Sequence, residues 1–345
     1  MLLFRRALSS SSSKLPSASC LLRVPGDVVR PRPSNSCGVS STSSSSNAGG
    51  SGRKLGIHVL RCPDAVGIVA KISECIASHG GNIHDVDVFV PRTRGSSTPE
   101  GQAFSHLTMD STMTEFVFDP ANWARETMDT DFFNISKLFN ADVSIVRVPD
   151  VDPKFKIAVL ASKQDHCLVD ILHGWHDGRL PVQIKCVISN HERAPKTHLV
   201  SFLERDGIPY HCLKTTSENK REEEILSLVE GTDFLVLARY MQVLSARFLK
   251  RYGKDVINIH HGLLPSFKGI NPSRQAYNAG VKLIGATSHF VTEPLDEGPI
   301  IEQMVERVSH RDSLRSFVQK SEELEKQCLV KAIKSYCELR VLPMN

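Results

Sequence analysis

The nine cysteines include no CxxC pair and make an odd total, which argues against both a disulfide framework and a zinc knuckle. Most of them read as small buried hydrophobes, and nothing in the spacing singles out Cys167 or Cys212 as a nucleophile. No stretch approaches the ~20 consecutive apolar residues of a membrane helix. The most apolar runs, such as Phe234 to Ala238, have the length of a strand, so a soluble protein without a membrane partner is expected. The net charge is only +4, and no dense Lys/Arg tract follows the first residues. That removes the electrostatic case for nucleic acid and leaves an anionic small ligand open. HExxH and comparable spacings are absent, so His260, His261, His289 and His310 form no metal-ligand pattern. What remains is a chain of 345 residues, 41% of them hydrophobic, enough for two domains or for one with an appendage.

Residues 1–53 are dominated by serine, carry Arg5, Arg6, Lys14, Arg23, Arg30 and Arg32, and contain one acid, Asp27. This is the composition of an organelle transit peptide. Met1 to Leu8 allows an amphipathic turn or two, and no apolar core of a secretory signal follows, so a mitochondrial address is expected. The competing reading is a disordered serine-rich tail.

From Leu55 the texture changes. Leu55 to Leu60 alternates as a strand, a Pro63 to Gly67 turn follows, and Ile68, Ile72, Cys75 and Ile76 mark a helical face that ends at His79-Gly80-Gly81-Asn82. Val86 to Val90 reads as a second strand, Phe104 to Met109 as a third, Phe132 to Phe139 as a second helix and Val143 to Val148 as a fourth strand. The order βαββαβ over residues 54–150 predicts a ferredoxin-like fold. CPDAVGIVAKI followed by GGNI resembles the ACT domain, a regulatory module that often binds amino acids. That resemblance implies a homo-oligomer formed through this domain and a candidate effector loop at Asp64, Gly67 and Asn82. Turn chemistry offers a plainer account: Asp caps a helix, Gly permits a tight backbone and Asn accepts a left-handed conformation.

After a Val151-Asp152-Pro153 linker, strands and helices alternate: Lys156 to Ala161, His166 to His176, Val182 to Ser189, Thr197 to Arg205 and Phe234 to Arg239. Such a series over residues 155–341 predicts an α/β, Rossmann-like, mostly parallel sheet, with ligands gathering beyond the carboxyl ends of its strands. Val256 to His261 is a further strand whose alternation puts Asn258 and His260 on one side. It runs into the Gly/Pro-rich loop Gly262 to Gly269, and Leu283 to Val291 and the acidic turn Leu295 to Pro299 follow. An amide, an imidazole and a carboxylate can thus meet. Taken singly each has an ordinary explanation, as turn former or hydrogen-bonded core group.

Taken jointly, NIHHGLLPSFKG, GATSHFV and LDEGPII resemble the formyltransferase fold that uses 10-formyltetrahydrofolate. The resemblance implies that Asn258, His260 and Asp296 are catalytic. It also implies that Met241, Gln242, Val243 and Leu244, with Thr292, Glu293, Leu295 and Gly298, hold the folate substrate, with His289 in a supporting place. Attack on a formamide builds charge on oxygen, and each donor placed there is worth roughly 3–4 kcal/mol. The Asn258 amide and a protonated His260 are expected to donate, and Asp296 to take and pass on the proton of water. No metal or organic prosthetic group is implied.

The acceptor is read from an absence. Glycinamide ribonucleotide formyltransferases hold a phosphate on a glycine-rich loop after their first strand, whereas Ala161-Ser162-Lys163-Gln164-Asp165-His166-Cys167 has no glycine. Together with the ACT-like segment this resembles the formyltetrahydrofolate deformylases, in which water is the acceptor and tetrahydrofolate returns to one-carbon metabolism and purine biosynthesis. Formyl transfer to an amine, and a folate- or amino-acid-binding regulator without turnover, are the alternatives. Gly262 stands where bacterial relatives often have serine, and the chain stops soon after its last helix.

Overall fold

The structure, a computed structural model, describes residues 52–90, 109–195, 197–216, 219–269 and 271–341. The serine-rich leader lies outside them.

The first sheet has four strands in the order β2-β3-β1-β4. β1 (Lys54–Pro63) pairs antiparallel with β3 (Met109–Phe118) on one side and β4 (Val143–Arg147) on the other, and β2 (Asn82–Phe89) flanks β3. The helices α1 (Ile68–Ser78) and α2 (Arg125–Leu138) cover one face, where Leu60, Ile72, Phe116, Trp123 and Phe132 are buried together. This is the expected βαββαβ order. The third strand starts at Met109 rather than ending there, and residues 104–108 fall outside the described residues. α2 starts at Arg125, because the buried Met128 extends its apolar face one turn before Phe132. Gly67 (φ 97°) introduces α1 without a side-chain cap, and at the far end the positive φ belongs to Gly80, so Asp64 and Asn82 do not play the turn roles expected of them.

The second sheet has seven strands in the order β11-β10-β9-β8-β5-β6-β7. β5 (Phe155–Ala161), β6 (Val182–Ser189), β7 (Tyr210–Cys212), β8 (Phe234–Ala238) and β9 (Val256–His260) run parallel. β10 (Leu283–Phe290) turns antiparallel to β9, and β11 (Ile300–Arg307) antiparallel to β10. All five residues of β8 are buried, as befits a strand covered on both faces. α3 (His166–His176), α4 (His198–Arg205), α5 (Glu222–Leu228), α6 (Ala246–Tyr252) and α7 (Pro272–Asn278) lie between the strands in sequence. The long α8 (Leu314–Cys337) packs across β9, β10 and β11 after Ser313 caps it through the Ser316 N–H. The carboxyl ends of β8 and β9, side by side at the middle of the sheet, are where the informative residues emerge.

Candidate active site

β9 alternates as its sequence requires: Ile257 and Ile259 enter the core, and Asn258 and His260 share the other side. In the antiparallel register His289 of β10 stands opposite Asn258, and Thr287 opposite His260. The Asn258 Nδ2 is 3.2 Å from His289 Nε2, and His289 Nδ1 is 2.9 Å from the Phe290 carbonyl. A carbonyl only accepts, so the His289 proton sits on Nδ1 and Nε2 accepts from the amide. This fixes the amide with its nitrogen toward the ring, and one N–H remains to be given to a ligand.

The same logic orients His260. Its Nε2 is 3.1 Å from the Phe267 carbonyl and therefore carries the proton, while Nδ1 faces Asp296 Oδ2 at 3.4 Å. Asp296 Oδ2 also accepts the Gly269 N–H at 3.2 Å, and Oδ1 is 3.8 Å from His289 Nε2. The side chains of His260, His289 and Asp296 are 4%, 3% and 7% exposed, so the cluster is almost dry. Burial pushes both imidazoles below their ordinary value of 6.5, and the nearby Asp296 opposes this without reversing it. The expectation of a protonated His260 is thereby corrected. Loss of hydration outweighs one carboxylate, the resting ring is neutral, and its N–H is engaged by Phe267.

Two loops set these distances. The 262–269 loop is pinned by the buried Thr287, whose hydroxyl donates to the Gly262 carbonyl and accepts the Leu264 N–H, with Gln303 donating to the Leu264 carbonyl. The acidic turn folds back onto β10, where the Phe290 N–H meets the Pro299 carbonyl. A Cβ at Gly298 would lie 1.8 Å from the Phe290 carbonyl oxygen, so only glycine permits that return. Asp296 itself is held at φ 56°, a left-handed conformation that costs a non-glycine residue of order 1–3 kcal/mol and is fixed by its surroundings. The exposed Lys268–Glu297 pair joins the loops at 2.8 Å and adds little energy.

Met241, Val243 and Leu295 project as apolar side chains 62%, 53% and 57% exposed, Gln242 is half-buried and Glu293 is exposed. The Met241 N–H is tied to Ser162 Oγ and the Val243 carbonyl to Lys220, and the Thr292 hydroxyl donates to the Pro294 carbonyl. The Leu244 side chain is buried with Tyr240 and Phe248 and anchors its loop from below. Asp64 and Gly67 precede α1 and Asn82 follows it, at opposite ends of an 11-residue helix that spans about 16 Å. The candidate effector loop is therefore not gathered within the single chain.

The formyl transferase family profile matches residues 155–333. Formyltetrahydrofolate deformylase 2, mitochondrial, of Arabidopsis thaliana is 68% identical over 84% of this chain and 84% of its own length. A crystal structure of a formyltetrahydrofolate deformylase from Pseudomonas syringae aligns with a TM-score of 0.72 at 37% identity, over 85% of this chain and 93% of the other. The chain belongs to the formyltetrahydrofolate deformylase family. A glycinamide ribonucleotide transformylase from Symbiobacterium toebii aligns with a TM-score of 0.51 at 29% identity, over 56% of this chain and 92% of the other.

Membership in this family gives two local features a frame. At Gly262 a Cβ would come within 2.9 Å of Pro272 Cβ and 3.1 Å of His260 Nε2, so this chain has packed a proline and the His260 imidazole where a larger residue would stand. Sequence reading also missed a set on the far side of His261. Among the described residues, His166, Cys167 and Glu325 are the ones with metal-like spacing, their ligand atoms within 4.8 Å. The Arg239 guanidinium lies 3.3 Å from Glu325 Oε2, and burial pushes the Cys167 thiol far up. A carboxylate already paired with arginine beside a protonated thiol is a poor cation site. The positive φ of Arg239, 62°, carried no sequence signal.

Proposed function

We propose that this chain, acting in mitochondria, hydrolyses 10-formyltetrahydrofolate to formate and tetrahydrofolate with Asn258, His260 and Asp296 as its catalytic residues. The observation that carries this reading is the nearly dry cluster in which the Asn258 amide, two neutral imidazoles and the Asp296 carboxylate converge. Asn258 offers its remaining N–H to the formyl oxygen as negative charge develops there. Asp296 removes a proton from the attacking water. His260, whose Nδ1 lone pair faces that carboxylate, relays the proton on its way to the departing N10, so its work is proton transfer more than oxyanion binding. His289 is a positioning residue that holds the amide in its working orientation.

The exposed apolar side chains of Met241, Val243 and Leu295 suit the flat ring of the folate, with Gln242, Thr292 and Glu293 available for its polar edge and Gly298 shaping the turn. No resident metal or prosthetic group enters the proposal. The first sheet is proposed to act as an ACT-like module through which the chain forms a homo-oligomer. An amino-acid effector at Asp64, Gly67 and Asn82 would then need both ends of α1 or a second copy.

The test is formate release from 10-formyltetrahydrofolate by the full chain with no amine present. Formate and tetrahydrofolate formed in equal amounts support the reading. Binding of the folate without turnover by the folded protein would replace it with that of a regulator.

A further inference from the structure

Beyond His261 lies a second cleft of about 420 Å³, lined by Gln164, Arg239, His261, Arg274, Glu322 and Glu325, a volume suited to a small polar molecule. It borders the Ser162 to His166 loop, where an acceptor amine would have to be held. Its floor is Glu325, 2% exposed, whose Oε1 accepts the Ser321 hydroxyl at 3.1 Å and whose Oε2 meets His166 Nε2 at 3.0 Å. Glu325 is close enough to His260 to act on it electrostatically, and a buried carboxylate is a natural receptor for an ammonium group, the form most aliphatic amines take at neutral pH.

In this chain that place is taken. Arg239 follows β8 directly, as His261 follows the neighbouring β9, and it is bent by its φ of 62°. Its Nε lies 3.3 Å from Glu325 Oε2 and donates to Gln164 Oε1 at 3.0 Å, and its side chain is 10% exposed. Arginine in a left-handed conformation and a desolvated charge pair are both unfavourable taken alone. The acceptor-side loop is drawn in as well, since Gln164 is held by Arg239 and the Ser162 and Lys163 carbonyls by Arg193.

We propose that Arg239 is a specificity-determining residue: its guanidinium occupies, on Glu325, the position of an acceptor's ammonium group, so that water is the nucleophile that reaches the formyl carbon. Water is neutral and small enough to pass, whereas an amine meets a fixed positive charge and finds its anchor neutralised. This rests on the hydrolase reading above. In the hydrolytic direction the water oxygen bonds to the formyl carbon, the C–N10 bond breaks, N10 gains a proton and formate leaves. With an ammonium group in its place, one proton must first leave to free the nitrogen lone pair; the nitrogen then bonds to the formyl carbon, the C–N10 bond breaks, the nitrogen loses a second proton and N10 gains one, giving a formylated amine, tetrahydrofolate and one released proton.

The experiment gives the full chain 10-formyltetrahydrofolate in the presence of excess glycinamide and measures formate and N-formylglycinamide together. Their ratio does not depend on how much active enzyme survives a substitution. The unmodified chain is expected to give formate. Arg239→Gly, which relaxes the backbone at this φ, is expected to raise the formylglycinamide-to-formate ratio by about tenfold or more, and Arg239→Lys to keep it low. Gln164→Ala, an exposed change that loosens the guanidinium and leaves the core intact, is expected to raise it about twofold. It carries the test should the glycine variant not fold. An unchanged ratio in either variant, with formate still released, overturns the assignment of Arg239. Absence of formate from the unmodified chain overturns the hydrolase reading, and the assignment with it.

Discussion

His58 in the first sheet and His260 in the second are both buried imidazoles on central strands, and the two regions use them differently. His58 stacks on Phe132 with ring centroids 3.9 Å apart and touches Ser144 Oγ at 3.3 Å, and its Nδ1 has no hydrogen-bond partner among the described residues. Burial alone pushes it down to about 3. His260 suffers the same loss of hydration, but the Asp296 carboxylate pulls against it. A buried histidine without a counter-charge is a packing group that stays neutral. One whose free nitrogen faces a carboxylate 3.4 Å away stays neutral at rest yet can accept a proton during a reaction.

The comparison can be broken by turning the second histidine into the first. Asp296→Asn keeps an acceptor for the Gly269 N–H and removes the charge, and kcat for formate release is expected to fall by roughly a thousandfold. The same change should move the acid limb of the kcat/KM profile to lower pH, since nothing then opposes the effect of burial on His260. In the unmodified chain that limb lies below pH 6.5, the ordinary value from which His260 is lowered. Activity that survives Asp296→Asn within a factor of two would remove the carboxylate from the mechanism.

Next in size, Asn258→Ala deletes the donor that His289 orients. A fall in kcat of about a hundredfold, with KM nearly unchanged, is expected if the amide serves the transition state. A rise in KM alone would assign Asn258 to ground-state binding.

The first sheet supplies the converse test, read as stability. The folded pKa of His58 lies below the unfolded value of 6.5, so between them the unfolded chain binds more protons. Stability is lost as pH falls from 6.5 toward 3, by about 2 kcal/mol already at pH 5. Denaturant titrations at pH 7 and pH 5 should show this loss, and His58→Leu should reduce the slope, the remainder belonging to the buried histidines of the second sheet. An equal slope in the variant would place the titration elsewhere.

The smallest effect is expected at Gly262→Ser. Crowding against Pro272 and His260 should cost about 1 kcal/mol of stability and a few-fold in kcat. A gain in activity would mean that the serine hydroxyl outweighs the lost space.

Much of this was legible in one sequence. Period-two alternation located β9, and three short motifs named Asn258, His260 and Asp296, because local backbone geometry and chemistry demand those residue types close to their neighbours in sequence. The start of α2 was missed where a largely polar segment hides a single buried methionine, and the loops flanking Asp296 announced themselves only as turns.

By itself the sequence determined the two sheet types, the mostly parallel character of the larger one, and the family, since each rests on periodicity or on contiguous residues. Only the tertiary structure decided that His260 is neutral, that Asn258 is oriented by His289 across two antiparallel strands, and that Arg239 closes over Glu325. The reason is that protonation and pairing depend on hydration and on groups brought together from distant parts of the chain, and neither quantity is written locally in the residues concerned.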